Sequence, residues 1–458
     1  MLFRYFSLAF FNYCPQIIMG AVIHIPGDYT TIQSGIDAAA DFDTVVISNT
    51  TYYEHLTISK PLTLTGQSIY GTVIDGSGTG DVITITHDYV NIHLIEIRNA
   101  GSTTNDEDDC DAAIEILYSD YCSITSCKII DNPAAGLALT GSEHCKIYHC
   151  RFEDNHFGIY FYETGGFESP CENDFGNTIE HNHFYSNDRG INFEHTACTH
   201  HHTNTVAHNI FESNGYALTM IMSQENRIHS NLFKNSVGPA IILIMCSGGG
   251  ESNLYYLNSF VNNGTGYQAV DYSWGSSYWY SYSVGNYWSD YDGIDANQDG
   301  IGDTPYDNIG DPPGMAIDYF PLMAMPDSDG DGLPDSVDNC PVNNYPLLND
   351  RDFDGVGDHC DNCLYKYNPD QIDSDENGIG DACTTICGDA SGDGVVNLID
   401  ILHLISCLYD NPRGVPPLSF VYSDVNSDSS INLLDILYLI EYLYGNPPGP
   451  DPDCPDSQ

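Results

Sequence analysis

Six segments of unequal length between residues 122 and 263 align on the same columns. They begin at Cys122, Cys145, Asn177, Asn204, Asn226 and Asn253. Two residues on, the column reads Ile124, Ile147, Ile179, Val206, Ile228, Tyr255; five on, it reads Cys127, Cys150, Asn182, Asn209, Asn231, Asn258. Further columns hold Ile129, Phe152, Phe184, Phe211, Phe233, Phe260, then Asn132, Asn155, Asn187, Asn214, Ser236, Asn263. Small residues follow (Gly136, Gly158, Gly190, Ala217, Ala240), and then Leu137, Ile159, Ile191, Leu218, Ile241. Short strands, asparagine corners and a period near 22 residues define one fold class, a right-handed parallel β-helix, here over residues 22–290. Like residues then stack one strand spacing apart, ~4.8 Å. Stacked asparagines satisfy their amides along the column. The segment Ile25–Ala40 reads as an amphipathic cap helix entering the strand Thr44–Ile47. A cap is expected, because an open β-helix exposes a sheet edge.

The formal charge is −53, with only 12 Lys+Arg. That excludes nucleic acid as a partner, since phosphates need a basic surface. It also disfavours acidic polysaccharide unless calcium bridges the two. Residues 1–21 carry Arg4 and apolar runs and are expected to be a secretory signal, with no other membrane span. The chain is therefore expected to be secreted, extracellular or cell-surface associated. Sixteen cysteines fit an oxidising compartment. Without Cys14 the number is odd, so at least one thiol stays unpaired.

Unequal repeat lengths mark a site. Insertions leave the same strand position after Tyr162, after Glu194 and after Ile244. Loops sharing one edge build a rim on one face. Strand alternation points Tyr160 and Tyr162 outward, then Asn192 and Glu194 one turn on, with Glu115 in the same outward column earlier. The expected groove has Tyr160, Tyr162 and Asn192 as sugar contacts and Glu163, Glu194 and His195 as catalytic groups. Phe167, Glu168 and His200 to His202 rim it. Aromatic faces beside carboxylates suit sugar rings, and a carboxylate pair on neighbouring coils suits glycoside chemistry. A solvated face with adaptable loops is the plainer alternative. His149, His181 and His208 share a corner column that a transition metal could use, although solvated corner histidines are the favoured reading. Cys122/Cys145 and Cys127/Cys150 stack within disulfide reach and are expected to be bridged or buried structural residues. The aromatic stretch Tyr267–Trp288 offers either a second sugar platform or an end closure.

Two copies of one oxygen-bearing loop follow near the end. The first is Asp389, Ser391, Asp393, Asn397, Asp400; the second is Asp424, Asn426, Asp428, Asn432, Asp435. Both place oxygens at loop positions 1, 3, 5, 9 and 12, the offsets with which a twelve-residue loop wraps Ca²⁺. Each runs into an apolar helix, Leu398–Leu408 and Leu433–Tyr444, forming a duplicated half EF-hand. Residues 387–447 therefore resemble a type I dockerin, which implies calcium and a cohesin-bearing scaffold or surface partner. Ser429 replaces the usual loop glycine that Gly394 keeps, so the second loop is expected to bind calcium less well.

Residues 326–386 hold fifteen acids against Arg351 and Lys366. Their spacing repeats (Asp331, Asp354, Asn377; Cys340, Cys363; Cys360, Cys383). The runs from Asp327 and Asp350 resemble thrombospondin type 3 repeats. The resemblance implies pairings Cys340–Cys360 and Cys363–Cys383. It also implies calcium on Asp327, Asp329, Asp331, Asp335, Asp350, Asp352, Asp354, Asp358, Asp373, Asp375 and Asp381. So charged a stretch cannot bury a core, and calcium and disulfides must order it. A related loop, Asp295, Asn297, Asp299, Gly300 and Asp303, lies in an end segment, 291–325, and residues 448–458 form a tail.

The β-helix resembles the pectin-lyase-like superfold. Its ending, Gly285-Asn-Tyr-Trp-Ser-Asp-Tyr plus the acidic loop, is also similar to β-helical periplasmic copper-binding proteins. Such a fold hosts many functions. The dockerin resemblance implies polysaccharide degradation, by a lyase or glycoside hydrolase. The missing Asp-Asp, Gly-His-Gly and Asp-Phe-Ile-Phe-Gly signatures favour a non-catalytic binding or surface-structural protein. Copper handling is a third reading.

Overall fold

The computed structural model describes residues 20–69, 71–105, 109–162, 176–194, 203–221, 223, 225–244, 253–272, 277–310, 316–331, 333–343, 348, 350, 352, 354–363, 368–369, 371–372, 380, 388, 396, 398–405, 425–426 and 432–445. Its two compact units divide between Met325 and Pro326.

Three parallel sheets wind through the first unit. Sheet 1 has ten strands, from Val22–Ile25 to Leu254–Tyr256; sheet 2 has ten, from Thr51–Tyr52 to Tyr287–Trp288; sheet 3 has nine, from Leu56–Ile58 to Ala269–Asp271. Every aligned column is a true register. Ile124 pairs with Ile147, Ile147 with Ile179 and Ile179 with Val206. Phe152, Phe184, Phe211, Phe233, Phe260 and Trp288 stack with centroids 4.9, 4.6, 4.9, 5.0 and 4.2 Å apart. All six are at most 1% exposed, and each contributes about 2–3 kcal/mol by burial. Glycine is required where coils approach closely: a Cβ on Gly158 would lie 2.4 Å from the Gly190 carbonyl oxygen.

Asparagines knit the corners. Asn209 Nδ2 donates to Ile179 O, Ala207 O and Asn231 Oδ1 at 2.8, 2.9 and 3.0 Å. Each amide hands on to the next, through Asn258 and Asn286, until Asn286 N and Nδ2 donate to Asp318 Oδ2 at 2.7 and 3.2 Å. A carboxylate only accepts, so it can end a ladder whose members all donate forward. The buried Cys122, Cys127, Cys145 and Cys150 occupy the equivalent places earlier in the columns. Cys150 Sγ lies 3.4 Å from Ile124 O and from Tyr148 O.

The cap helix spans only Ile32–Ala38, with Thr31 as its N-cap. It is shorter than expected because Val22–Ile25 pairs with Thr44–Ile47 and Pro26 interrupts the chain next. Glu54 further caps it, accepting from Ile32 N and Gln33 N at 3.0 and 3.1 Å. Beyond the last coil, Tyr306–Ile309 pairs antiparallel with Ala316–Asp318. In the second unit, helices Leu398–Ile405 and Leu433–Tyr444 pack through Ile401, Leu404, Ile436 and Leu439, with Val425 between.

Candidate functional sites

The outer face of sheet 3 is organised by strand Phe157–Tyr162. Register places Tyr160 beside Asn192 and Tyr162 beside Glu194 on the next coil. Glu115 lies two coils earlier in the Tyr160 column, beyond Ala138. The side chain at 138 is small, so the Tyr162 ring can lean back across it, while Tyr160 reaches forward. Tyr162 Oη donates to Glu115 at 2.6 Å, and Tyr160 Oη donates to Glu194 at 3.2 Å. Asn192 Nδ2 also donates to Glu194, at 3.1 Å, and Arg189 steadies Asn192 through its Oδ1 at 3.2 Å. Phe157, Tyr160 and Tyr162 stack in line, 4.6 and 5.3 Å apart.

Sequence reasoning put these side chains on an open groove. They do point away from the β-helix interior, in a cluster of their own with Ala112, Ala135 and Ala138. They are nevertheless buried: Tyr160 is 3% exposed, Tyr162 4%, Asn192 0% and Glu115 5%, whereas Glu194 is half-buried. Burial, then the Glu115 carboxylate, raises the Tyr162 phenol well above its usual range and keeps it protonated. Thr219, next in the Asn192 column, holds a buried hydroxyl with no hydrogen-bond partner among the described residues. Glu163, His195, Phe167, Glu168 and His200 to His202 lie outside the described residues. Glu115 was in the expected outward column but not in the expected catalytic set. The alanines opposite it were the signal for a partner reaching across. Of the two phenol–carboxylate pairs only the half-buried Glu194 is open to a bound molecule, and the buried Tyr160, Asn192, Tyr162 and Glu115 hold the face beneath it.

Three acidic loops share one hydrogen-bond pattern. In the first, Asp295 Oδ2 accepts from Gly300 N at 2.9 Å, Asn297 Oδ1 from Asp299 N at 3.1 Å and Asp299 Oδ1 from Ile301 N at 3.0 Å. Asp303 closes the loop on Ala296 N at 2.8 Å. Asp329, Asp331 and Asp335 repeat these contacts with Asp331 N, Leu333 N and Ser328 N at 3.1, 2.8 and 2.6 Å. Asp350, Asp352 and Asp354 repeat them with Gly355 N, Asp354 N and Val356 N at 2.9, 3.3 and 2.8 Å. Oxygens of Asp327, Asp329 and Asp331 lie within 4.8 Å of one another, as do those of Asp350, Asp352 and Asp354, so each trio could hold a metal ion. Burial, then Asp354, Asp361 and Asp350, pushes Asp352 up to about 7. Carboxylates crowded in this way fit a divalent cation. Asp358 is also described; Asp373, Asp375 and Asp381 lie outside the described residues.

Cys340 and Cys360 are joined by a disulfide. Cys363 is also disulfide-bonded, and Cys383 lies outside the described residues. Of the terminal loops, Asp400, Asn426, Asn432 and Asp435 are described, and Asp400 and Asp435 are fully buried. Asp389, Ser391, Asp393, Asn397, Asp424 and Asp428 lie outside the described residues.

The histidine column is real and ends at His208, since Ser230 takes the next corner position; His229, one residue earlier and paired with Ala207, meets His208 from the strand. His149–His181, His181–His208 and His208–His229 centroids are 5.4, 5.1 and 5.8 Å apart. Desolvation among these rings, then the neighbouring imidazoles, lowers His181 to about 4. Among the described residues only the two aspartate trios bring three ligand atoms within 4.8 Å of one another. The imidazoles therefore do not converge, and no copper centre follows from them.

These features define a modular right-handed parallel β-helix protein with acidic, metal-competent loops and a paired-helix end. The family described as periplasmic copper-binding protein (NosD) matches residues 23–178 and 74–293, and the chain belongs to that family. A dockerin type I domain matches residues 387–444, and thrombospondin type 3 repeats match 326–346 and 372–401. No curated protein matches. Among solved structures, ORF18 of Geobacillus virus E2 is similar with 14% identity and a TM-score of 0.40, over 58% of this chain and 60% of that one. Alginate lyase from Paenibacillus sp. str. FPU-7 has 14% identity and a TM-score of 0.39, over 57% and 90%. The Yersinia enterocolitica family 28 exopolygalacturonase has 12% identity and a TM-score of 0.38, over 58% and 70%. The chain thus spans about 60% of the length of the phage protein. No helix among the described residues is long and apolar enough to cross a membrane.

Proposed function

We propose that this chain is an exported, calcium-binding component of a cohesin-organised assembly. In this reading its β-helix engages polysaccharide on the outer face of sheet 3. The observation that carries the reading is the pair of phenol–carboxylate contacts, Tyr162–Glu115 and Tyr160–Glu194. The unpartnered Thr219 hydroxyl beside them supports it. Glu194, half-buried, is the acid–base candidate a sugar would meet, and Tyr160, Asn192, Tyr162 and Glu115 position it from beneath. Glu163 and His195 stay in the proposed set on sequence grounds.

Calcium is proposed for the loops at Asp327 and Asp350, whose trios of oxygens converge, for the loop at Asp295, which shares their hydrogen-bond pattern, and for both dockerin loops. Oxygen-only sites of this charge suit calcium over softer metals. The cohesin would meet the exposed apolar side chains of the dockerin helices. Leu398 and Leu402 are 50% and 56% exposed, and Leu434 and Leu437 are 55% and 50% exposed. Exposed apolar surface of this kind marks a protein partner.

The test is product release from plant and algal polysaccharides with calcium, comparing wild type with Glu115→Gln and Glu194→Gln. Release abolished by either substitution supports an enzyme at sheet 3. Release unaffected by both moves the chemistry elsewhere. No release from any substrate favours a non-catalytic binding or surface role.

A further inference from the structure

The C-terminal end of the β-helix carries a surface that the sheet 3 site does not use. We propose that Tyr278 and Tyr319, which flank Tyr280, together with Tyr282 at the adjoining turn, bind a neutral polysaccharide chain by ring stacking. The aromatic side chains here divide into two sets. Trp279 and Trp288 turn inward, 0% and 1% exposed, and stack on Tyr255 and Phe260 at 4.3 and 4.2 Å. Their indole N–H groups donate to Asp271 and Asp318 at 2.9 and 3.0 Å. These two residues close the coil. Tyr278, Tyr282 and Tyr319 turn outward, 54%, 98% and 50% exposed.

Among the described residues no ring stacks in parallel on Tyr278, Tyr282 or Tyr319. Tyr280 meets Tyr278 and Tyr319 edge to face, at 6.2 and 5.5 Å with interplanar angles of 77° and 87°. By contrast, the exposed Tyr89 and Tyr121 stack on each other at 5.2 Å and 5°, so each covers a face of the other. Elsewhere Tyr162, Tyr291 and Tyr306 spend their hydroxyls on Glu115, Thr304 and Asp290. Among the described residues no hydrogen bond engages the hydroxyls of Tyr278, Tyr280, Tyr282 or Tyr319. Open ring faces with uncommitted hydroxyls match the apolar C–H faces and ring hydroxyls of a pyranose chain.

The platform is held by the backbone. Tyr278 N donates to Asn253 O at 2.9 Å, and Gly285 N donates to Phe320 O at 2.9 Å. Ser281 and Val284 exchange both backbone bonds, 2.8 and 3.1 Å. That places Tyr282 at φ 56°, a left-handed turn position that favours asparagine or glycine. Little entropy is lost when a platform is ordered before its ligand arrives. Charge selects the ligand: no lysine or arginine occurs between Lys234 and Arg351, so a uronate chain would be repelled and a neutral one would not.

The test uses the full chain with calcium and measures its depletion from solution by cellulose, xylan and mannan, with immobilised polygalacturonate as the acidic counterpart. Wild type should be retained by a neutral polysaccharide. Tyr282→Ala should weaken retention roughly threefold and Tyr278→Ala with Tyr282→Ala roughly tenfold, taking a typical aromatic contact for each ring. Tyr53→Ala, at a side chain 70% exposed near the other end of the β-helix, should leave retention unchanged, and Glu115→Gln is measured alongside to separate this surface from sheet 3. The proposal is overturned if no neutral polysaccharide retains wild type. It is also overturned if polygalacturonate is preferred, or if the double variant binds normally with an unchanged far-UV spectrum. A wild-type dimer that Tyr282→Ala dissociates in sedimentation would replace the glycan with a second copy. Retention lost with Glu115→Gln alone would overturn this surface and leave the sheet 3 reading standing.

Discussion

Replacing Asn209 by leucine tests whether the asparagine ladder holds the coils together. Leucine has the same heavy-atom branching, more bulk and no hydrogen-bonding atoms, so the change removes polarity without opening a cavity and adds some overpacking. Asn209 makes about four side-chain bonds: its two Nδ2 hydrogens are shared among three acceptors, and its Oδ1 accepts from Asn182 N and Nδ2 at 2.9 and 3.0 Å. Asn182, Asn209 and Asn231 are at most 2% exposed, so water cannot replace the lost partners. At about 1 kcal/mol per bond, with more for a buried donor left unmatched, the loss is on the order of 5 kcal/mol. That is a large share of the 5–15 kcal/mol typical of a whole domain. Asn209→Cys should cost about half as much, because Cys150 fills the same column with its sulfur against the corresponding carbonyls. Equilibrium urea unfolding with calcium present, followed by far-UV circular dichroism, measures both. If Asn209→Leu shifts the unfolding free energy by less than about 1 kcal/mol, as an exposed substitution would, the ladder is not what fixes the corners.

Asp318 is lifted to about 6, mainly by burial. Its contribution to stability is therefore full below about pH 4, is lost as pH rises through 6, and amounts to roughly 3 kcal/mol. Urea midpoints from pH 4 to 7 should fall for wild type relative to Asp318→Asn; parallel curves would refute the burial argument. Gly190→Ala puts a Cβ 2.5 Å from Ala217 O and 2.8 Å from the Phe211 ring, which should cost about 1–3 kcal/mol in the same assay. Chelation should speed amide exchange across residues 326–445 and leave the β-helix protected, because only the second unit lacks a large apolar core; equal loss of protection in both regions would contradict this.

The fold was legible because a parallel β-helix writes its register directly into the sequence. Ile147 over Ile124 and Phe184 over Phe152 are at once alignment columns and strand pairs. The acidic loops were legible for a similar reason: their oxygens come from one short segment at fixed offsets. The sheet 3 face was only half legible. Alternation gave the outward direction of Tyr160 and Tyr162 but not their burial, which depends on what packs over the sheet. It also did not give the Tyr162–Glu115 contact, in which a ring reaches across the Ala138 coil. The aromatic end was legible as composition alone, since alternation around Trp279 separates closing indoles from exposed phenols only once the turn at Tyr282 is known.

The ladder also explains where the coil can stop. Every asparagine in the corner column donates from its amide toward the next coil, so the column has a direction and its last member leaves donors pointing outward. Another asparagine would only postpone the problem. A carboxylate resolves it, and Asp318 accepts from Asn286 N, Asn286 Nδ2, Trp288 Nε1 and Phe320 N at 2.7, 3.2, 3.0 and 3.0 Å. Those donors tie the final asparagine, the closing tryptophan and the segment bearing Tyr319 to one side chain. The strand pair Tyr306–Ile309 and Ala316–Asp318 is then part of the β-helix's termination, because it delivers the carboxylate that the column requires.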